Sequence, residues 1–538
     1  VIERNPAMAP RFSLVTPVYD PPADVLRATI DSVRIQTFTD WQLILVDDCS
    51  PSSHVRPILR EAAAADSRII VVERSTNGGI VAASNDGLDR ATGEFVALLD
   101  HDDTIERRAL EVVDLYAQQN PEMDYCYSDE DHHTVDGRYV NPFYKPDWSP
   151  ERLRAQNYCC HFSVFRASLL AEVGGFRPGF DGSQDYDLIL RATERARQIV
   201  HIPFVLYHWR QLPTSVAGDP NAKPYAYEAG RRAVQEHCDR LGIAATVEED
   251  AIRGTYRVRR HVQGDPLISV IIPTCGSVGR AWGVERCYAV AAIESVKRHT
   301  SRRIEFVMVV DDFTPAHWVD AMQRAAGDTP IKFVWYDREF NFSEKVNLGY
   351  VHAEGDLLLL LNDDIEVITD EFLDPMIPLA LEAEVGAVGA KLYFADGRLQ
   401  HAGHVYNGDP YHIMFRWSGD EVGPSGLLVV QRECVGVTAA CLLIRPEVYE
   451  HVGGLCTLFA GNFNDVDFNL KLGMLGYRRV WTPYSELYHF ESATRDPTIT
   501  EEEHNMIKMR WAEKLQHDPY YNPNLAPFRD DWVEKGLR

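Results

Sequence analysis

The sequence predicts an α/β fold laid down twice, and three observations predict it. Short Val/Ile/Leu-rich runs alternate with helical segments such as 23–35 and 55–65, the pattern of a mainly parallel sheet. The apolar runs end in acidic pairs, and in open parallel sheets ligands bind at the carboxyl ends of strands. The whole series then recurs in the same order, the mark of an internal duplication.

The elements repeat one by one. FSLVTPVYD (12–20) is matched by ISVIIPTCG (268–276), each an apolar strand running into a Pro-containing loop. LILVDDCSP (43–51) is matched by FVMVVDDFTP (306–315), each a buried strand ending in two aspartates. The stretch 83–103 aligns without a gap on 345–365, which sets Asn85 on Asn347, Gly87 on Gly349, Gly93 on Gly355 and Asp102 on Asp364. The Gly-Gly segment 172–191 parallels 451–472, and VLYHWR (205–210) parallels ELYHFE (486–491). A charged stretch, RVRRHVQGDP, precedes the second opening strand, so the expected domains are 1–262 and 263–538. A connecting helix is expected over 224–241. A C-terminal helix over 500–517, with Ile507, Trp511 and Leu515 on one face, leads into a Pro/Asn/Tyr-rich tail.

Composition narrows the function. The chain has 538 residues, 45% hydrophobic and 25% charged, the balance of a folded chain of more than one domain. Its net charge of −26 argues against nucleic acid as a partner and against whole-surface attraction to anionic lipid. No run approaches a membrane span; LLLLL at 357–361 reads as a buried strand. Val1 is followed by no charged-then-apolar leader, and the ten cysteines lack paired CxxC spacing. A reduced cytoplasmic setting is expected, with the cytoplasmic face of the inner membrane as a further place of work.

Five groups of residues carry the chemistry. LLDHDD places Asp100, Asp102 and Asp103 at a strand end, where a divalent cation bridged to a diphosphate would neutralise their repulsion; hard oxygen ligands suit Mg²⁺ or Mn²⁺. Asp also favours turns and helix caps, but recurrence of the motif as LLNDD around Asp364 favours the metal. Asp47 and Asp48, with Asp311 and Asp312, are candidates to accept the imide N–H of a uracil or thymine base. Thr16, Pro17 and Tyr19 belong to the loop beside that base, on which the Tyr19 ring can stack; the second copy keeps Pro273 but has Cys275 in place of the ring, so its base pocket must be built differently. Asn85 and Asn347 are assigned to the same nucleotide pockets. Asp185 (QDYDL) and Asp465 (NDVDF) open amphipathic helices, where a carboxylate can deprotonate a hydroxyl or simply complement the helix dipole. His208 and His489 follow them at near-equal spacing and are candidates for metal or phosphate. Asp129, Glu130, Asp147 and Trp148 combine carboxylates with an aromatic plane suited to sugars, and His401 in QHAG (400–403) is the comparable candidate in the second copy.

At these residues the chain resembles glycosyltransferase family 2, inverting enzymes with the GT-A nucleotide-sugar fold. TPVYD, VDDCS, LLDHDD, GGF…QDYD and YHWR carry the resemblance, over about 11–215 and 267–495. YSDEDH, KPDWSP and DPYYNPNL look like tandem bacterial enzymes building O-antigens and related polysaccharides, and FNFSEKVNLG and LLNDDIEV resemble rhamnosyltransferase-like members. The resemblance implies deoxythymidine- or uridine-diphosphate sugar donors and a glycan or lipid-linked glycan acceptor. It implies Asp102 and Asp364 as metal ligands, Asp185 and Asp465 as general bases, and His208 and His489 completing the metal or phosphate sites. In two places the chain departs from the family pattern. Asn362 replaces the first Asp of the DxD, and Gln184 and Asn464, assigned to sugar or acceptor contacts, replace the Glu that commonly precedes the base.

Overall fold

The computed structural model describes residues 9–211, 224–490 and 498–536. The chain divides into two compact units, Val1–Trp148 with Leu153–Val258, and Ser149–Arg152 with Arg259–Arg538. The assignment of Ser149–Arg152 to the second unit is a detail that no sequence signal announces.

In the first unit one sheet runs in the order Ile69–Glu73, Trp41–Asp47, Phe12–Val18, Phe95–Leu98, Ser163–Arg166, Met123–His133, Gln198–Arg210 and Thr104–Ile105. Its first four strands are parallel. Ser163–Arg166 is antiparallel to its neighbours, and Met123–His133 runs parallel to Gln198–Arg210. The second unit repeats this order strand for strand: Ile331–Tyr336, Ile304–Asp311, Ile268–Thr274, Leu357–Leu361, Cys441–Ile444, Val385–Tyr393, Arg478–His489 and Ile365–Val367. The duplication is therefore one of topology as well as of motifs.

The strands form because both of their faces are covered. Leu43, Ile44, Leu45 and Val46 have no exposed surface, and neither do Leu357–Leu360, so a continuous apolar run is stable where strict alternation is not needed. Two conserved spacings of the repeat have a steric cause. A Cβ on Gly87 would lie 2.5 Å from the Val15 side chain, and one on Gly349 would lie 2.4 Å from Ile271. Only glycine lets these helices approach the opening strand of each sheet so closely.

The expected C-terminal helix is Glu501–Leu515. It opens on a capping box between Thr500 and Glu503 and buries Ile507, Trp511 and Leu515. Among the described residues no helix is long and apolar enough to cross a membrane. All ten cysteines are free thiols.

Candidate active sites

In both units the acidic turn follows the fourth strand of the sheet. In the first, Asp100 and Asp102 are half-buried, and burial, then Asp102 and Asp185, raise the Asp100 carboxyl above its ordinary value against the lowering influence of His161. Asp185, distant in sequence, thus belongs to the same charged cluster. Its carboxylate accepts a hydrogen bond from Asn157 Nδ2 at 3.0 Å.

The two aspartates of QDYD and NDVD are not alike. Asp187 and Asp467 are fully buried. Arg191 and Arg177 hold Asp187, while Trp511 Nε1 donates to Asp467 at 2.8 Å. Asp185 and Asp465 are only half-buried, which leaves them as the carboxylates available for chemistry.

In the second unit these groups share a cavity of about 290 Å³, whose lining includes Asn362, Asp364, His401, Asn464, Asp465 and His489. Asp465 accepts from Ala439 N at 3.3 Å. His489 Nδ1 donates to Gln400 Oε1 at 2.7 Å, so its Nε2, 3.1 Å from Asp364 Oδ1, accepts from Asn362 Nδ2 at 3.0 Å. Asn362 Oδ1 is buried without a hydrogen-bond partner among the described residues. With the Asn362 amide turned over, carboxylate, amide oxygen and imidazole nitrogen would together fit Mn²⁺, and the Asp100–Asp102 pair fits Mg²⁺ or Mn²⁺ through oxygen alone. Asn362 in place of Asp therefore keeps an oxygen donor. Burial, then Asp364, raises the neighbouring Asp363 carboxyl to about 7.

The structure corrects the expected pairing of His208 with His489. In the first unit Thr104 faces His208 and Ile105 faces Tyr207, whereas in the second Glu366 faces Tyr488 and Val367 faces Leu487. His208 thus corresponds to Tyr488, and Trp209 to His489. A slip of one residue exchanges the faces of a strand. His208 Nδ1 is accordingly bound to Asp131 at 2.6 Å, with Glu106 3.6 Å from the other nitrogen. The imidazole beside the first acidic turn is His161, which the sequence reading missed. It stacks on Tyr207 at 4.6 Å and bonds Glu130 Oε2 at 3.1 Å. Burial opposes its charge, but Glu130, Asp100 and Asp103 raise it to about 9. Its counterpart in the second unit is Ala440, so comparing the copies cannot reveal it.

The same kind of slip affects the aspartate pairs. Val18 faces Asp47 in the first unit and Thr274 faces Val310 in the second, so Asp48, not Asp47, corresponds to Asp311. Asp47 holds Arg56 Nε at 2.7 Å and Ser50 N at 3.0 Å. Asp48 accepts Gly78 N and Gly79 N, both at 2.8 Å, at the start of the helix Gly79–Leu88. Asp311 is held by Lys345 Nζ at 3.0 Å, and Asp312 is exposed. Thr16 and Pro273 lie within their strands, Pro17 O meets His101 Nδ1 at 3.0 Å, and Tyr19 is 49% exposed at the strand end.

Several sugar and nucleotide candidates prove to be braces. Both functions of the Asn85 amide are spent on the Phe176 backbone, at 2.9 and 3.0 Å, and those of Asn347 on Leu455 at the same distances. They fix the Gly-Gly turns that precede the Asp185 and Asp465 helices. Asp103 accepts from Tyr207 Oη at 2.6 Å and Arg210 N at 2.7 Å. Asp129, Glu130 and Asp131, the first two expected to meet a sugar, lie in the buried part of the strand Met123–His133. Asp129 pairs with His201 at 2.8 Å; Glu130, despite burial, is held at about 2 by Lys145 and His161. Asp147 accepts from His201 Nδ1 at 2.9 Å, and Trp148 packs on the core. Gln184 accepts from Gly182 N at 2.8 Å, and Asn464 donates to Gly461 O at 3.1 Å. His401 is fully buried, and its proton affinity is well below the ordinary value through burial and then His412 and His404.

Two sheets of one topology, each ending its central strands in an acidic turn beside a helix-borne aspartate, define a tandem α/β chain with two candidate sites. The chain belongs to glycosyl transferase family 2, whose model matches residues 13–174 and 269–453. It is 40% identical over 97% of its length to the uncharacterized protein y4gI of Sinorhizobium fredii, and 37% identical over 96% to the O-antigen biosynthesis protein RfbC of Myxococcus xanthus. It spans 58% and 40% of those two proteins. The structure of S. aureus TarS 1-349 in complex with UDP-GlcNAc overlays 42% of this chain and 66% of its own at 20% identity, with a TM-score of 0.35.

Proposed function

We propose that the chain is a bifunctional inverting glycosyltransferase, moving sugars from uridine- or deoxythymidine-diphosphate donors onto a growing bacterial surface polysaccharide. The observation that carries this is the sharing of one cavity by Asp364, His489 and Asp465 in the second unit. A diphosphate-side group and a candidate base so placed suit a single in-line displacement. Family membership and the similarity to an O-antigen biosynthesis protein support the substrate class.

In each unit the aspartate, Asp185 or Asp465, takes the proton of an acceptor hydroxyl within about 3 Å. The oxygen attacks the anomeric carbon as the bond from that carbon to the diphosphate oxygen breaks, and the nucleoside diphosphate leaves. One displacement inverts the anomeric centre, and no sugar–enzyme bond forms. Asp100 and Asp102, or Asn362, Asp364 and His489, would hold a divalent ion that stabilises the charge on the departing diphosphate. The acceptor is a glycan or lipid-linked glycan met at the cytoplasmic face of the inner membrane.

Asp185→Asn and Asp465→Asn test the division of labour. Each is expected to abolish a different transfer, giving two distinct truncated products by mass spectrometry. Complete product from either variant would make that unit a scaffold.

A further inference from the structure

The second unit carries three histidines that the proposed transfer does not use. His401 ends the strand Leu399–His401, His404 opens His404–Tyr406, and His412 ends Pro410–His412, where it pairs with His404 across the hairpin. Gly403, with φ of 92°, turns the chain between the first two, and a Cβ there would press on Cys434 at 3.0 Å. All three histidines line the cavity that contains Asp465.

Their arrangement has near-threefold regularity. One nitrogen from each ring lies within 4.8 Å of the others. The ring centres are 5.1, 5.0 and 4.9 Å apart, and the planes cross at 80°, 80° and 77°. Three imidazoles around one tetrahedral zinc, at Zn–N of about 2.0–2.1 Å, have ring centres roughly 5 Å apart. His401 Nδ1 and His412 Nδ1 are 2.8 Å apart and share one ring proton, which a metal ion would replace as the two nitrogens part to about 3.3 Å.

We propose that His401, His404 and His412 bind a divalent cation of the zinc class, distinct from the ion that Asp364 would hold. A set of three imidazoles favours Zn²⁺ over the oxygen-seeking Mg²⁺ and Mn²⁺. His404 Nε2 stands 3.9 Å from Asp465 Oδ2, so the cation lies beside that carboxylate. If Asp465 is the base, as proposed above, the cation can also bind the acceptor hydroxyl and ease its deprotonation. Loading has a cost. Thr438 N–H donates to His401 Nε2 at 3.2 Å, and that bond is given up when the ring proton moves to Nε2.

Metal-stripped full-length protein, held in excess Mg²⁺, is titrated with Zn²⁺ by calorimetry, with bound zinc counted by mass spectrometry. One equivalent is expected to bind at micromolar concentration or tighter. Asp364→Asn should leave it in place, and His404→Ala and His412→Ala should each weaken it at least tenfold, with circular dichroism reporting whether each variant folds. X-ray absorption of the loaded wild-type chain is expected to show nitrogen ligands, and needs no variant. No zinc uptake by the wild type, or sulfur ligation from Cys434, would overturn the site. Transfer lost in Asp465→Asn while the wild type takes up no zinc would overturn it too, and leave the transferase reading standing.

Discussion

Trp209 of the first unit stands at the strand position that His489 takes in the second. His489 lies 3.1 Å from Asp364, whereas the Trp209 ring lies tilted against His161 at 5.6 Å between ring centres. The two copies thus bring an imidazole to the acidic turn from different strands, His489 from the seventh strand of the sheet and His161 from just before the fifth.

This relationship predicts unequal effects of two histidine substitutions. With the second unit silenced by Asp465→Asn, His161→Ala should lower first-unit transfer by about 10–100-fold, equivalent to roughly 1.4–2.7 kcal/mol of barrier. His208→Ala should change the rate by less than about threefold and lower the melting temperature, because it leaves Asp131 without its 2.6 Å partner. Steady-state kinetics and thermal melts separate the two. A His208→Ala variant as impaired as His161→Ala would contradict the register.

Gln400 holds His489 from behind at 2.7 Å and fixes which nitrogen faces Asp364. Loss of such an outer partner typically weakens metal affinity by about 10–100-fold. Gln400→Leu should do this to Mn²⁺ binding at the second site, read by electron paramagnetic resonance titration in an Asp102→Asn background. Unchanged affinity would show that His489 needs no orienting partner.

The Asn braces predict a loss of stability that sequence comparison would assign to nucleotide binding. Asn347→Leu leaves the Leu455 N–H and C=O without their 3.0 and 2.9 Å partners. A buried backbone group left unpaired costs about 1–3 kcal/mol. Urea unfolding of the second unit should shift accordingly, and nucleotide affinity should change less than the catalytic rate, since the turn sets the Asp465 helix. A large loss of nucleotide affinity with unchanged stability would restore the original assignment.

The C-terminal tail makes stability depend on pH. Asp518 is fully buried and accepts from Tyr406 N at 3.0 Å and Tyr520 N at 2.7 Å. Burial outweighs these bonds and raises its carboxyl to about 7. In the unfolded chain it ionises near about 4. Between those values the unfolded chain has lost its proton and the folded chain has kept it. Stability is therefore full below about pH 4, falls as pH rises to about 7, and is level above; the effect is at most on the order of 4 kcal/mol. The wild-type melting temperature should drop from pH 5 to pH 8 more than that of Asp518→Asn. Parallel pH profiles would refute the assignment.

The fold was legible because burial on both faces writes itself as Leu357–Leu361 and its counterparts, and because duplication doubles every signal. The acidic turns, Asp185 and Asp465 were legible for the same reason. Register was not. Whether His208 or Trp209 matches His489 depends on a one-residue slip that leaves the motif YH intact while turning the ring to the opposite face. Asn85 and Asp103 read as ligand contacts because a side chain that holds a turn and one that holds a ligand use the same amide or carboxylate. His161, His404 and His412 lie outside the duplicated motifs, where comparison of the copies has nothing to compare, and His401 was legible as a candidate without its two histidine neighbours.

The opening loops are where the copies differ most in shape, and they predict different nucleotide contacts. In the first unit Tyr19 is 49% exposed, and its loop is pinned by Asp20 N donating to Ser50 Oγ at 3.0 Å. In the second, Cys275 turns to Ser277 Oγ at 2.9 Å, and the longer loop folds into the hairpin Val278–Ala281 and Val284–Cys287. That hairpin carries Trp282, also 49% exposed, whose Nε1 donates to Glu366 at 3.0 Å. Stacking of an aromatic ring on a base contributes about 1–3 kcal/mol. Tyr19→Ala should therefore weaken first-unit binding of uridine or deoxythymidine diphosphate by roughly ten- to a hundredfold, and Cys275→Ala should leave the second unit unchanged. Trp282→Ala should weaken the second unit and spare the first. Calorimetry on the full chain, with Asp102→Asn or Asp364→Asn to silence one site at a time, measures each effect. Equal affinities of both units for both nucleotides, untouched by Tyr19→Ala and Trp282→Ala, would show that neither loop reads the base.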